Sequence, residues 1–311
     1  MQCAECGQTL LEVHCATCQL RRTGGLFSVA HRWLPDNPVR YLATIAASRL
    51  YLGLLLLAIA PILLLALHVN IVVGMMVYFS LFWFFVFQPL LANQIRLRPL
   101  TLDIGAYIFT GLIGTSLAML VESLWYHTPA RGFLNAPQVL ISTPAYVLCI
   151  GITEEVAKQL VVFLVMLWQR AKKKVWSPLS YMMLGVSSGL GFSAVENISY
   201  VERGLAFEVM RHAFGIGTFT ALTRALYTPF LHAIWAGIAA WGIGQIAAQG
   251  VARWRMGLGL IMLVAVFHGV YDATIGRHPG VAILDVAVSY LIFLALLLNG
   301  RRPRHANHLG I

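Results

Sequence analysis

The sequence is poor in charge. Of its 311 residues only 11% are Asp, Glu, Lys or Arg, and 59% are hydrophobic, whereas a soluble globular chain carries roughly 25% charged residues. That balance excludes a soluble core-and-shell protein, and it excludes disorder, which needs the opposite composition. Cysteine numbers five, too few to staple a chain of this length into a disulfide scaffold. No HExxH zinc-protease motif and no clear internal repeat occur. Acids are rarer still, 12 against 22 Lys and Arg for a net charge of +10. Such an excess suits a nucleic-acid binder, but the basic residues fall in short clusters between long apolar runs. No nucleic-acid partner is expected; an anionic lipid bilayer is.

The apolar runs define the architecture. Eight segments approach the roughly 20 residues that cross a bilayer as helix: Leu50 to Val69, Ile71 to Asn93, Ile104 to Val121, Pro144 to Trp168, Pro178 to Tyr200, Pro229 to Ala248, Met256 to Ile275 and Val281 to Leu298. A further apolar stretch, Phe214 to Tyr227, is broken by Arg224 and reads as an interfacial or re-entrant helix. The expected fold is all-α, a polytopic membrane helix bundle of about eight transmembrane helices. Its domains are a head at 1–20, a basic linker at 21–48, the membrane core at 49–299 and a basic tail at 300–311. The opening MQCAECGQTL does not read as a cleavable signal.

Orientation follows from the loops. Sixteen Lys and Arg residues gather on one side of the expected spans, four on the other (Arg131, Arg203, Arg211 and Arg277), and Lys158 and Arg224 lie within apolar sequence. Positive loops stay cytoplasmic, so both termini are assigned to the cytoplasm of a multi-pass plasma (inner) membrane protein, and the number of spans is even.

The head holds Cys3, Cys6, Cys15 and Cys18, two Cys-x2-Cys knuckles. Four thiolates at that spacing close a tetrahedral zinc site, and a reducing cytoplasm favours thiolate over disulfide. A structural zinc in a ribbon-like head is expected. Such a site has no open position for catalysis. Cys149, alone in an apolar helix, reads as a core residue.

Ionisable residues within the membrane segments are costly, about 2.5–3.5 kcal/mol each on insertion scales, and so point to function. They are Glu154, Glu155 and Lys158 on the fourth segment, Glu196 beside Asn197 on the fifth, His232 on the sixth, and His268 with Asp272 on the seventh. At 1.5 Å of rise per residue from the cytoplasmic ends, Glu154, Glu196, His232, His268 and Asp272 lie roughly 21, 27, 24, 18 and 24 Å deep. Four helices thus bring acids and imidazoles to one layer, in the extracytoplasmic half. Residues four apart share a helix face, so Glu154 can pair with Lys158 and His268 with Asp272. Glu155 points about 100° from Glu154, toward a different partner. Gly185, Gly189 and Gly191 would let the fifth helix pack closely on a neighbour. Blander readings compete: Glu154 and Lys158 as a structural pair, His232 as a satisfied core histidine, Glu196 as an interfacial cap, Arg224 and Asp285 as structural or interfacial, and Asp103 and Glu122 as interfacial.

Four motifs in order resemble a known family. Thr153-Glu154-Glu155-Val156-Ala157-Lys158 resembles the EExxK motif of PrsW-type intramembrane proteases, relatives of the CAAX-processing and bacteriocin-processing membrane endopeptidases. Gly191-Phe192-Ser193-Ala194-Val195-Glu196-Asn197 is similar to that family's G-F-x-x-x-E-N stretch, His232-Ala233-Ile234-Trp235 to its next histidine motif, and His268-Gly269-Val270-Tyr271-Asp272 to its final HxxxD or HxxxN motif. The likeness covers about Pro144 to Ile275. It implies an intramembrane endopeptidase in which Glu154 or Glu155, the first preferred, activates a water. His232 and His268 position that water or stabilise the oxyanion, with Lys158, Glu196, Asn197 and Asp272 in support. The substrate implied is a membrane protein, such as a single-span anti-sigma factor cut near the outer face. Whether a catalytic metal takes part is open at this point, since histidines and carboxylates also suit zinc. A proton- or cation-coupled transporter, using the same residues as relays, is the competing function.

One expectation concerns the head alone. A peptide of residues 1–25 should bind close to one zinc per chain by metal analysis and lose it on Cys6→Ser; a peptide that binds none would remove the ribbon reading.

Overall fold

The computed structural model describes residues 49–92, 99–174, 176–212 and 214–301. The cysteine head, the linker at 21–48 and the tail beyond Arg301 lie outside the described residues. The chain divides into two units, Met1–Leu55 and Leu56–Ile311; of the first, only the opening turns of α1 are described.

Every described element is helical. In chain order these are α1 (Arg49–Ala66), α2 (Ile71–Ala92), α3 (Leu100–Phe109), α4 (Thr115–Tyr126), α5 (Ala130–Leu134), α6 (Val139–Ala145), α7 (Ile152–Ala171), α8 (Pro178–Arg211), α9 (Ile216–Leu226), α10 (Thr228–Gln249), α11 (Trp254–Thr274) and α12 (Pro279–Arg301). Two wide π-helical turns, Thr110–Gly114 and Tyr146–Gly151, join α3 to α4 and α6 to α7 without a break. The second follows Pro144, whose missing N–H interrupts the helical ladder just upstream.

All eight expected segments are helical, and Phe214 to Tyr227 contains a helix of its own, α9. By length and composition, five described helices can cross a membrane: Ile71–Gln88, Leu100–Tyr126, Ile216–Gln249, Trp254–Thr274 and Pro279–Gly300. α7 and α8 hold most of the ionisable residues and are less apolar for that reason. The molecule is inverted relative to a soluble protein. Large apolar side chains such as Leu112, Leu140 and Leu291 lie on its surface, while Glu155, Lys158 and Asn197 are fully buried. Such a surface is stable only against lipid.

α8 is the axis of the unit and packs most extensively on α10. It starts where it does because Ser177 caps it, its hydroxyl accepting from the Ser180 N–H at 3.2 Å, and because Pro178 fits the first turn. From Leu179 to Ala194 it is buried on every side. That burial demands small residues, as a Cβ on Gly189 would collide with the backbone carbonyl oxygen of His232, and one on Gly191 with that of Tyr107. The close glycine packing expected from the sequence is therefore present, against α10 and α3. The π-turn before α7 is seated similarly on α11, with Gly151 against Ala265 and Gly269 against Val147.

One reading is corrected. Asp103 is buried, and the Ser187 hydroxyl donates to its Oδ1 at 3.2 Å, so the interfacial placement fails: α3 turns this face inward onto α8. Asp285, read as structural or interfacial, is buried on α12, which agrees with the structural reading.

Gly189→Ala should force α8 and α10 apart, costing about 1–3 kcal/mol and shifting His232. Gly105→Ala, with nothing within 4 Å of the added carbon, should be neutral or slightly stabilising. Melting of the two variants in detergent checks this; equal melting temperatures would contradict the packing argument.

Candidate active site

Four helices meet around one buried charge. Lys158, with no solvent exposure, donates to Glu155 Oε1 at 2.8 Å and to Glu154 Oε2 at 3.1 Å, three and four residues back along α7. Its ammonium lies 4.4 Å from the centre of the Phe192 ring on α8. The Glu154–Lys158 pair is thus formed. Glu155, expected to face elsewhere, shares the same lysine and also reaches α11, where its Oε1 lies 2.9 Å from His268 Nδ1.

His268 is held from three sides. With Nδ1 on Glu155, its Nε2 faces Glu154 Oε2 and Asp272 Oδ2, each at 3.5 Å, and its ring stacks on Trp235 at 4.8 Å. Trp235 is itself anchored by its indole N–H donating to Ser289 Oγ at 3.0 Å. A carboxylate on the far nitrogen fixes the tautomer of an imidazole and leaves Nε2 to work.

The second half of the cluster joins α8, α9 and α10. His232 stacks on Phe192, and its Nε2 lies 3.2 Å from Glu196 Oε2. Arg224 Nη1 approaches Glu196 Oε1 at 3.6 Å and donates to Asn197 Oδ1 at 3.1 Å, with its guanidinium over the Tyr200 ring. The Asn197 amide donates to Ser193 Oγ, the Arg224 carbonyl and Thr228 Oγ1. Asn197 therefore ties the end of α9 and the start of α10 to α8. Arg224, read from the sequence as structural or interfacial, belongs to the cluster instead. The surplus of buried acids was the signal that could have placed it there.

The cluster opens into a polar cavity of about 480 Å³, lined by Glu196 and Asp272 from the cluster and by Glu122, Tyr146 and Arg203 beyond it. Glu122, expected at an interface, faces this cavity. One wall is the tail of α8 with α9. These are clamped together by Glu208, whose Oε2 accepts from the Gly217 N–H at 2.7 Å. Glu208 lies beyond the apolar part of α8, and the N–H groups of Gly215 and Gly217 hold its carboxyl below the usual range.

Residues 98–298 match the family model described as PrsW family intramembrane metalloprotease. The chain belongs to that family. Comparison with curated proteins and with solved structures gave no match. As a PrsW-family member the chain is a membrane protease acting on membrane-protein substrates in lipid, which decides against the transporter. The matched region runs from α3 to α12 and includes every residue of the cluster.

The family description implies a metal, and the residues fit one. Glu154, Glu196 and His232, all buried, each offer a ligand atom, and these atoms lie within 4.8 Å of one another. Glu196 Oε2 and His232 Nε2 lie 3.2 Å apart, near enough for the two atoms to bind one ion. Charge agrees as well. Four acids, Glu154, Glu155, Glu196 and Asp272, stand against the two permanent cations Lys158 and Arg224, a balance that favours a cation.

Proposed function

We propose that this cluster is the active site of an intramembrane endopeptidase, with Glu154 as the base. The observation that carries the choice is the division of labour between the two adjacent glutamates. Glu155 is fully buried, and its Oε1 serves both Lys158 and His268. Its Oε2 is also without a hydrogen bond but is sealed from the cavity. Glu154, bound through Oε2, keeps an Oε1 without a hydrogen bond among the described residues and is the one of the two that meets Glu196 and His232. A base needs an unspent oxygen beside the groups that hold the water. Glu154 takes the proton of the attacking water as its oxygen adds to the scissile carbonyl carbon, and returns that proton to the departing amide nitrogen.

His268, oriented by Glu155, and His232, seated between Phe192 and Glu196, turn their Nε2 atoms toward the acids that would flank the water. They are suited to hold that water or to meet the developing oxyanion. Lys158 keeps the two glutamates together, and Asp272 and Asn197 fix the outer edge. Glu196 and His232 would hold the metal, with Glu154, whose ligand atom lies within 4.8 Å of theirs, on the water beside it. When bound, it supplies Lewis acidity toward the carbonyl and lowers the pKa of a water.

The substrate in this reading is a single-span membrane protein, an anti-sigma factor being one example, cut in the extracytoplasmic half. That placement rests on the loop charges, which also support cytoplasmic termini and a zinc-bearing cytoplasmic head at 1–20. The eight-span count is supported by α7 and α8 being long enough to cross, with their acids facing inward.

Glu154→Gln keeps size and hydrogen bonding but cannot take a proton. Cleavage of a single-span reporter by the purified protein should fall by about a hundredfold or more, with the protein still folded because Lys158 keeps Glu155. His232→Ala should additionally lose bound zinc by metal analysis. Full activity in a well-folded Glu154→Gln protein would move the base to Glu155 or Glu196.

A further inference from the structure

The cavity beside the cluster contains a charged group that the chemistry above does not use. Of the charged residues lining it, Glu196 is engaged by His232 and Arg224, and Asp272 by His268. Arg224 is committed to Asn197 and Glu196. Arg203 donates from Nε to the Ser199 carbonyl at 3.0 Å and from Nη2 to the Ser199 hydroxyl at 3.2 Å, and packs on the Tyr200 ring. Glu122 differs from all of these. It projects from α4 into the same space, and among the described residues it makes no hydrogen bond and no ion pair. It nonetheless lies close enough to feel the charges of Glu154, Glu196 and His268.

Its neighbours suit a cation. Tyr126, one turn further along α4, shares its face of the helix, and Tyr146 lines the cavity from the π-helical turn that leads into α7. A carboxylate with unspent acceptors beside two phenol rings is the environment that receives an ammonium or guanidinium, through a charge-assisted hydrogen bond and the ring faces. An apolar or anionic side chain would leave Glu122 unsatisfied there. The cavity's volume of about 480 Å³ accommodates a long side chain with part of its backbone.

We propose that Glu122, with Tyr126 and Tyr146, forms a substrate subsite that takes a lysine or arginine side chain close to the scissile bond. The proposal rests on the adjoining cluster being the catalytic centre, because only then does the cavity hold the substrate residues next to the cleaved bond. Selection by Glu122 accounts for an acid on a helix that carries none of the four motifs.

The test uses the full-length protein in detergent and single-span membrane reporters that differ only in carrying Lys, Ala or Glu near the cleaved bond. The wild type should cleave the best Lys reporter with a kcat/KM about tenfold above its Ala counterpart, the size of one charge-assisted contact. In Glu122→Gln that ratio should collapse to about one, in Glu122→Asp part of it should survive, and in Glu122→Lys the preference should pass to Glu reporters. A Lys-to-Ala ratio that stays at about ten in Glu122→Gln, whatever the absolute rates, overturns the proposal. So does a wild-type ratio of one. Binding of the same reporters by fluorescence anisotropy separates the two levels of the account. If nothing is cleaved but the Lys reporter still binds more tightly in a Glu122-dependent way, the catalytic reading fails and only the recognition of a cationic side chain by Glu122 stands; equal binding of Lys and Ala reporters removes that recognition.

Discussion

A single ammonium group, buried where water cannot reach it, makes the rest of the arrangement possible. Lys158 has no solvent exposure and holds both glutamates of α7 within 3.1 Å. Removing one partner of a buried ion pair costs about 3–5 kcal/mol, because it strands the other. The two carboxylates in turn reach His268 on α11, so the lysine indirectly sets the distance between α7 and α11. Its ring contact with Phe192 links it to α8. Three helices are thus tied together by charges that no one of them could bury alone.

Close backbone contact is the second requirement, and it comes from small residues. Gly189 admits α10 so near that His232 lies beside α8 rather than a side chain's length away. Gly151 and Gly269 do the same between the π-helical turn and α11. Lipid offers no hydrophobic drive to pull helices together, so packing of small residues and polar pairing must do it. The same contacts bring Glu196 and His232 near enough to bind one ion beside Glu154. Precision at the site and stability of the bundle therefore come from the same residues, and a substitution that loosens one loosens the other.

What could be read from the sequence was what lies within one helix. Glu154 with Lys158 and His268 with Asp272 follow from a spacing of four, and both pairs meet in the structure. Contacts between helices were not legible, because period and depth say nothing about how two helices are rotated against each other. Hence Glu155, judged by its angle to face a different partner, shares Lys158 and also orients His268. Arg224 looked like an interruption in an apolar stretch, yet it neutralises Glu196 across the junction of α8 and α9. Asp103 looked interfacial because it sits near the start of α3, but that end of the helix is covered by α8. The depth count brought five residues to one layer and left a spread of roughly 9 Å between Glu196 and His268, which helix packing closes. Glu122 had no spacing signal at all; only the cavity reveals it.

The central claim, that the buried charges of α7 persist because they neutralise one another and so hold the site together, is tested most directly by a set of melting curves. Lys158→Met alone should destabilise the protein by about 3–5 kcal/mol, since two carboxylates are left in apolar surroundings. Adding Glu154→Gln and Glu155→Gln should restore most of the lost stability without restoring cleavage. A Lys158→Met protein that melts with the wild type, or a triple variant that melts no higher than the single one, would contradict the account.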